Sequence, residues 1–216
     1  MTAEDTYLTI LEPSEALFTE KRSKFIALAY PVHSVDEIKS HIDAAQKRYY
    51  DARHVCYAYM LGHERTNFRF NDNGEPSGTA GKPILGQINS NNLTNVLIIV
   101  VRYFGGIKLG TGGLIVAYRA AAAEVIKAST VIEKTIDEQV TILFEYPFMN
   151  DVMRIVKEEE PEILEQSFEM DCSLTLRIRQ SKMPRLRARL EKVETGRIKE
   201  EEEEQQQQGE EEIDAE

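Results

Sequence analysis

The stretch VVRYFGGIKLGTGGLIVAYRAAAAEVI, residues 100–126, decides the fold of this 216-residue chain. It joins a run of β-branched residues to a run of alanines through five glycines, at positions 105, 106, 110, 112 and 113. The first run is typical of a strand buried on both faces, and the alanines favour a helix packed closely on a sheet. Glycines between them either relieve a strained backbone or let another group approach the main chain.

The sequence before this stretch predicts a mixed α+β domain. Ser34 followed three residues later by Glu37 is a capping box, which predicts that a helix begins there. The predicted elements are strands at 24–32 and 95–103, a hairpin of 54–61 with 66–70, and helices at 35–49, shortly before residue 91, and at 113–128.

The pattern restarts near residues 129–135, where we place a domain boundary. The order of elements beyond it is β-α-β-β-α, which is typical of a small split β-α-β domain. The predicted elements are a strand at 131–146, a helix from 147 to about 160, strands at 163–170 and 172–180, and a helix at 183–193.

The net charge of −11 is concentrated at the C-terminus. Residues 1–131 carry 14 Lys+Arg against 13 Asp+Glu, residues 132–198 carry 11 against 14, and residues 199–216 carry 1 against 10. We therefore predict domains at 1–130 and 131–198, followed by a disordered acidic tail at 199–216. The tail either improves solubility or competes with anionic partners for a basic surface.

Hydropathy and cysteine content favour a cytoplasmic protein. No apolar run approaches the length of a membrane span, and the N-terminal MTAEDTYLTI does not resemble a secretory signal. The two cysteines, Cys56 and Cys172, are far apart and are expected to be small core residues rather than a disulfide.

The glycine cluster does not match the known phosphate-binding motifs. Thr111 stands where a P-loop requires lysine, and Ile115 stands where a dinucleotide fingerprint requires its third glycine. A helix that starts after the cluster nevertheless directs free amides and a positive dipole end at the turn. Two interpretations stay open: a tight turn that serves packing alone, or an anion-contacting surface.

A second unusual stretch, NDNGEPSGTAGKP at residues 71–83, is long for a mere connection. Long ordered loops are often functional. Glu75, Ser77, Thr79 and Lys82 are its chemically capable members. The alternative is ordinary turn chemistry, in which serine and threonine bond to the local backbone.

These two loops, in this order, carry a family resemblance. NDNGEPSGTAGKPIL followed by NVLIIVVRYFGGIKLGTGGLIVAYRAAA resembles the YigZ/IMPACT family, and RHVCYAYML fits the same pattern upstream. The motifs cover about residues 20–128. The arrangement is similar to that of the bacterial, two-domain members.

The resemblance implies an N-terminal domain like domain 2 of ribosomal protein S5. It also implies a ferredoxin-like C-terminal domain similar to a domain of elongation factor G. Members of the family are linked to the regulation of translation, so a partner in translation control is implied. Nucleic-acid or ribosome binding by bacterial members is an analogy from the fold.

Our leading hypothesis is a non-enzymatic protein that binds RNA or the ribosome. One alternative is a protein–protein regulatory module without nucleic acid. The other is a hydrolase-type enzyme with a pocket between the 71–83 loop and the glycine-rich turn, in which His54 would supply a base. No recognised catalytic motif is present, and we expect no metal, cofactor or membrane partner.

The expected binding residues follow from charge and position. Tyr103 and Phe104 would stack on unpaired bases if they are exposed. The expected anion contacts are Arg53, Lys82, Arg102, Lys108, Thr111, Gly112, Gly113 and Arg119. The residues shared with the family's loops are Glu75, Ser77, Gly78, Thr79, Gly81, Gly105, Gly106 and Gly110.

Overall fold

The computed structural model describes residues 5–169 and 171–199, which form two units. The first unit runs from Thr6 to Lys134, and the second contains the residues from Thr135 onward together with Asp5. The elements of the first unit are β1 (Thr6–Ile10), β2 (Ser14–Glu20), β3 (Ser23–Pro31), α1 (Val35–Arg48), β4 (His54–Leu61), β5 (Asn67–Asn71), α2 (Gly81–Ser90), β6 (Val96–Tyr103), α3 (Gly110–Ala128) and β7 (Val131–Thr135).

A five-stranded sheet in the order β2-β3-β6-β4-β5 organises the first unit, and its neighbouring strands are antiparallel. The central strand is β6, whose residues 96–101 are fully buried. Val96, Ile98 and Val100 face the core that contains α2 and α3. The alternate residues face the core that contains α1. The prediction of a strand buried on both faces is therefore confirmed.

The two long helices of this unit form for the reasons that the sequence indicated. The Ser34 hydroxyl accepts from the Glu37 amide, and the Glu37 carboxylate accepts from the His33 amide, which closes the predicted cap of α1. In α3, Ala117 and Ala121 are fully buried, so the helix packs closely on the sheet.

The structure also differs from the prediction in the first unit. Helix α3 begins at Gly110 instead of residue 113, since Leu109 already has helical backbone angles. The strands β1 and β2 were not predicted. Every residue of β2 is half-buried or exposed, so its pattern is weak. Strands β1 and β7 pair in a separate two-stranded sheet.

The second unit is a four-stranded antiparallel sheet with helices. Its elements are β8 (Asp137–Glu145), α4 (Met149–Glu159), β9 (Glu162–Phe168), β10 (Asp171–Arg179), α5 (Met183–Leu190) and β11 (Arg197–Lys199). The strand order β11-β8-β10-β9 is that of a split β-α-β domain, as predicted. The apolar faces of both helices and of the two central strands form one core.

Several boundaries from residue 131 onward differ from the prediction. The single strand expected at 131–146 is two strands, β7 and β8, separated at Ile136. Pro147 lies in a short 3₁₀ turn before α4, and α5 ends at Leu190. The acidic tail was predicted to begin at Lys199, which instead ends strand β11, and the rest of that tail lies outside the described residues.

Gly105 joins the end of β6 to the turn between β2 and β3. Its amide donates to the Ser23 hydroxyl at 3.1 Å. A Cβ atom at this position would lie 2.1 Å from the carbonyl carbon of Arg22 and 2.3 Å from its oxygen. Only glycine therefore allows the two backbones to approach this closely.

We expect Gly105→Ala to lower the free energy of unfolding by about 3 kcal/mol or more, because the added methyl group meets rigid backbone. Gly112→Ala is the matched control: its Cβ would meet open space in α3. That control should stabilise the protein by about 0.5–1 kcal/mol. Urea unfolding of the three proteins measures both effects, and equal stability of Gly105→Ala and wild type would contradict the proposed packing.

Candidate functional site

One end of the five-stranded sheet gathers both of the unusual loops. Strand β6 ends there at Tyr103, opposite Lys24 of β3, and Arg102 is opposite His54 at the start of β4. The β2–β3 turn, the loop at 72–80 and the glycine-rich turn at 104–109 all lie at this end. We call these three segments together the loop end.

The loop at 72–80 is built around the side chain of Asp72. Its carboxylate accepts from the amides of Gly78, Ala80 and Gly81, at 2.7, 2.9 and 2.8 Å. The bonds to Ala80 and Gly81 occupy free amides at the start of α2. Thr79 is buried, and its hydroxyl donates to the Pro76 carbonyl. Thr79 therefore bonds to the local backbone, as the alternative of ordinary turn chemistry expected.

Glu75 connects this loop to the core. Its carboxylate accepts from the Arg102 guanidinium at 2.6 Å and from the Tyr118 hydroxyl at 2.8 Å. The side chains of both charged partners are more than nine-tenths buried. The Cys56 thiol lies 3.0 Å from the Asp72 carbonyl oxygen and 3.4 Å from the Tyr118 hydroxyl. One network thus joins the loop, β4, β6 and α3.

This network changes the role predicted for Arg102. We expected a phosphate contact, but only 7% of the residue is exposed and its charge is paired with Glu75. The reason is strand alternation: Arg102 lies opposite Phe25, on the face that meets the core of α2 and α3. Arg102 is therefore a buried structural cation.

The pocket of the hydrolase alternative is occupied by these internal contacts. Glu75 is buried in its ion pair. His54 Nδ1 lies 2.8 Å from the Asn73 carbonyl oxygen, and its ring packs at Gly74. Ser77 is exposed, and no hydrogen bond among the described residues joins it to Glu75 or His54. Among the described residues, no group of three or more His, Cys, Asp or Glu is arranged to hold a metal ion.

The glycine-rich turn has features of both interpretations, internal packing and a surface open to an anion. Gly105 is used for internal packing, whereas Gly106 and Gly110 adopt φ of 88° and 70° and adjoin open space. Thr111 and Gly112, in the first turn of α3, are exposed, and Gly113 is half-buried. No side chain caps this helix start, and its first turn contains no acidic residue. The first amides of α3 are therefore open to an anion.

Exposed cations lie in or next to the segments of the loop end and along α3. Lys108 lies in the turn, Arg53 precedes β4 and Lys82 is the second residue of α2. Arg119 is exposed, but the earlier start of α3 puts it in the third turn, roughly 13 Å from the helix start. It shares a helix face with Gly112 and the exposed Val116.

The structure adds three cations that the sequence reasoning missed. Lys21 and Arg22 form the β2–β3 turn, and Lys24 follows it. The alternation of SEALFTE before them was the available signal for β2, and it would have indicated a hairpin. Asp72 and Tyr118 were also missed. Their roles depend on contacts between segments that are distant in the sequence.

The two aromatic residues at the end of β6 differ in exposure. Phe104 is 55% exposed. Tyr103 packs against the core of α1, and its hydroxyl donates to Asp51 at 2.7 Å, which raises the pKa of Tyr103 to about 12. Phe104 alone of these two is therefore arranged to meet a base.

Burial controls the titration of the internal network. It raises the pKa of the Cys56 thiol to about 12, because a thiolate would lose its hydration there. Burial also raises the pKa of Tyr118. Both groups therefore stay protonated in the folded protein at neutral pH.

The fold and site define a class: a two-unit α+β protein whose first unit presents a glycine-rich turn among exposed cations. The sequence model described as the Impact N-terminal domain matches residues 21–126. The IMPACT family member YigZ of Escherichia coli is 28% identical over 90% of this chain and 96% of its own length. A family member from Haemophilus influenzae is 30% identical over 88% of this chain and 94% of its own.

The chain belongs to the IMPACT family. A crystal structure of a hypothetical protein has the same fold, with a TM-score of 0.69 and 27% identity over 90% of this chain and 96% of its own. In the described part of this chain, no helix is both long and apolar enough to cross a membrane.

Removing one partner of the buried ion pair should be costly. We expect Glu75→Gln to lower the free energy of unfolding by about 3–5 kcal/mol, because it leaves the Arg102 charge buried without a counter-ion. Glu15→Gln, which breaks the exposed pair with Arg48, is the control and should cost less than about 1 kcal/mol. Denaturant unfolding at pH 7 compares them, and similar losses in both variants would refute a central role for Glu75.

The buried thiol should make stability fall at high pH. The pKa of Cys56 is about 12 when folded and about 8.5 in an unfolded chain, so its contribution is complete below about pH 8.5 and lost as pH rises toward 12. The slope from this thiol reaches at most about 1.4 kcal/mol per pH unit. Urea midpoints measured from pH 7 to 10.5 should show a steeper decline in wild type than in Cys56→Ala. Identical pH profiles would exclude this linkage.

Proposed function

We propose that this protein binds RNA, free or within the ribosome, through the loop end of its first unit and thereby takes part in the regulation of translation. The proposal assigns no catalytic step to the chain. It places the protein in the cytoplasm, where RNA and ribosomes are found.

The observation that carries the proposal is the separation of charges at the loop end. The acids Asp72 and Glu75 are engaged by internal partners. Asp51 is exposed and accepts from the Tyr103 hydroxyl, and Glu20 is half-buried at the end of β2. In contrast, the exposed cations form no ion pair with other residues of the described chain. Those at the loop end are Lys21, Arg22, Lys24, Arg53, Lys82 and Lys108, and Arg119 lies further along α3.

The start of α3 supports the same interpretation. Its first amides are uncapped by side chains, and Lys108 precedes them by two residues. Backbone amides at a helix start together with lysine and arginine are a common means of holding phosphates. Contacts of this kind give binding that tolerates different sequences and weakens as salt rises.

The part of the proposal that concerns translation rests on the family. Resemblance to the YigZ/IMPACT proteins implies a role in translation control, and RNA or the ribosome is the partner whose chemistry fits a basic loop end. The geometry of the loop end supports contact with phosphate, and it favours no particular RNA sequence.

A protein partner is the second candidate. Val116 on α3 is 60% exposed, and Ile107 in the glycine-rich turn is 44% exposed. Apolar side chains in this position favour docking to another protein. Such docking would depend less on salt than phosphate binding does.

The test is RNA binding by the full chain carrying Lys108→Glu and Arg119→Glu. Fluorescence anisotropy with a labelled RNA and co-sedimentation with purified ribosomes are measured at about 50 and about 200 mM salt. We expect at least tenfold weaker binding by the variant at low salt. The plot of log affinity against log salt should also be shallower by about 1–2.

Lys39→Glu, on the exposed face of α1, is the matched control and should bind like wild type. If wild-type binding is insensitive to salt, or if the double variant keeps its affinity, the RNA proposal is wrong. Salt-resistant binding to a protein that persists after nuclease treatment would instead favour the second candidate.

A further inference from the structure

The turn between β2 and β3 has an unusual combination of conformation and sequence. Glu20 pairs with Ser23, so the turn contains only Lys21 and Arg22. Both have positive φ, 45° and 66°. Two-residue hairpin turns of this kind strongly prefer Asn-Gly, because side chains disfavour positive φ. Here a lysine and an arginine, both with long cationic side chains, occupy the turn instead.

This turn is held firmly at the loop end. The backbone of Arg22 lies directly against Gly105, and the buried Ser23 hydroxyl accepts from the Gly105 amide. The hairpin turn and the glycine-rich turn are therefore fixed to each other through backbone contacts. A residue held in a disfavoured conformation by such surroundings is often part of a binding site.

Phe104 lies next to Gly105 and is 55% exposed. On its inner side the Arg102 guanidinium lies 5.8 Å from the ring centroid. Arg102 is itself fixed by Glu75, so this cation–π contact restrains the ring. An exposed, restrained aromatic ring thus stands beside the cationic turn.

We infer that the β2–β3 turn and Phe104 together bind unpaired, single-stranded RNA. Lys21 and Arg22 contact backbone phosphates, and Phe104 stacks on a base. This inference rests on the proposed function, since it names the kind of RNA and adds the contacts of Lys21 and Arg22, which the sequence did not indicate.

The combination favours a single strand over a duplex. Proteins bind unpaired strands with cations along the backbone and with aromatic rings that stack on the bases. Paired bases in an RNA helix are already stacked on one another, so Phe104 would have no face to meet. The cations alone could bind the phosphates of a single strand or of a duplex. The exposed ring of Phe104 is the feature that favours the single strand.

The sharpest test replaces the turn with the sequence that its conformation prefers. Lys21→Asn with Arg22→Gly removes both charges and gives the favoured Asn-Gly turn. The thermal midpoint should therefore stay equal or rise, while the affinity for a labelled 12-nucleotide single strand falls about tenfold or more. The salt slope should decrease by about 1.4, since each lost phosphate contact on a single strand contributes about 0.7.

Phe104→Ala should weaken single-strand binding about 5- to 100-fold and leave the salt slope unchanged, because stacking involves no phosphate. Phe68→Ala is the matched control, since Phe68 on β5 is 52% exposed. If Phe104→Ala unfolds, Phe104→Leu keeps an apolar side chain at the position and removes the aromatic face. Phe104→Tyr should bind like wild type.

The outcomes separate this inference from the proposed function. Tighter binding of the single strand than of the matching duplex, with losses in both variants, supports the inference. Equal binding of duplex and single strand overturns it, as does full affinity in the Asn-Gly variant, and RNA binding as such would then stand. Failure of wild type to bind either RNA overturns the inference, and failure to co-sediment with purified ribosomes as well overturns the proposed function.

Discussion

The buried ion pair between Arg102 and Glu75 is the interaction on which the loop end depends. It connects Arg102, near the end of the central strand, to a loop that is mostly polar. Separating the loop from the core would leave a buried charge without its partner, which is strongly unfavourable. The ion pair therefore holds the loop against the core. Tyr118 adds a contact from α3 and thereby fixes the helix to the same loop.

This internal use of charge determines what the surface presents. Glu75 and Asp72 are taken up by the ion pair and by the amides at the start of α2. The start of α3 has no such acid, so its amides stay open beside Lys108. The two neighbouring helix starts are therefore used differently: one is closed by the protein itself, and the other is available to an anion.

The close packing at Gly105 and the positive φ angles of Lys21 and Arg22 occur at the same contact. Gly105 allows the backbone of Arg22 to come close, and that contact holds the β2–β3 turn in a conformation that lysine and arginine disfavour. A local preference is overridden here by tertiary packing.

The sequence by itself determined the elements whose signal is local: the capping box at Ser34, the buried strand β6, the alanine-rich helix and the family. It also indicated that the 71–83 loop and the glycine-rich turn are candidate functional segments, and that Lys108 is a candidate anion contact. Only the tertiary structure decided that Arg102 is buried and that the β2–β3 turn supplies cations. The physical reason is that burial and charge pairing depend on contacts between distant segments, such as Glu75 with Arg102, whereas periodicity and capping depend on neighbours in the chain.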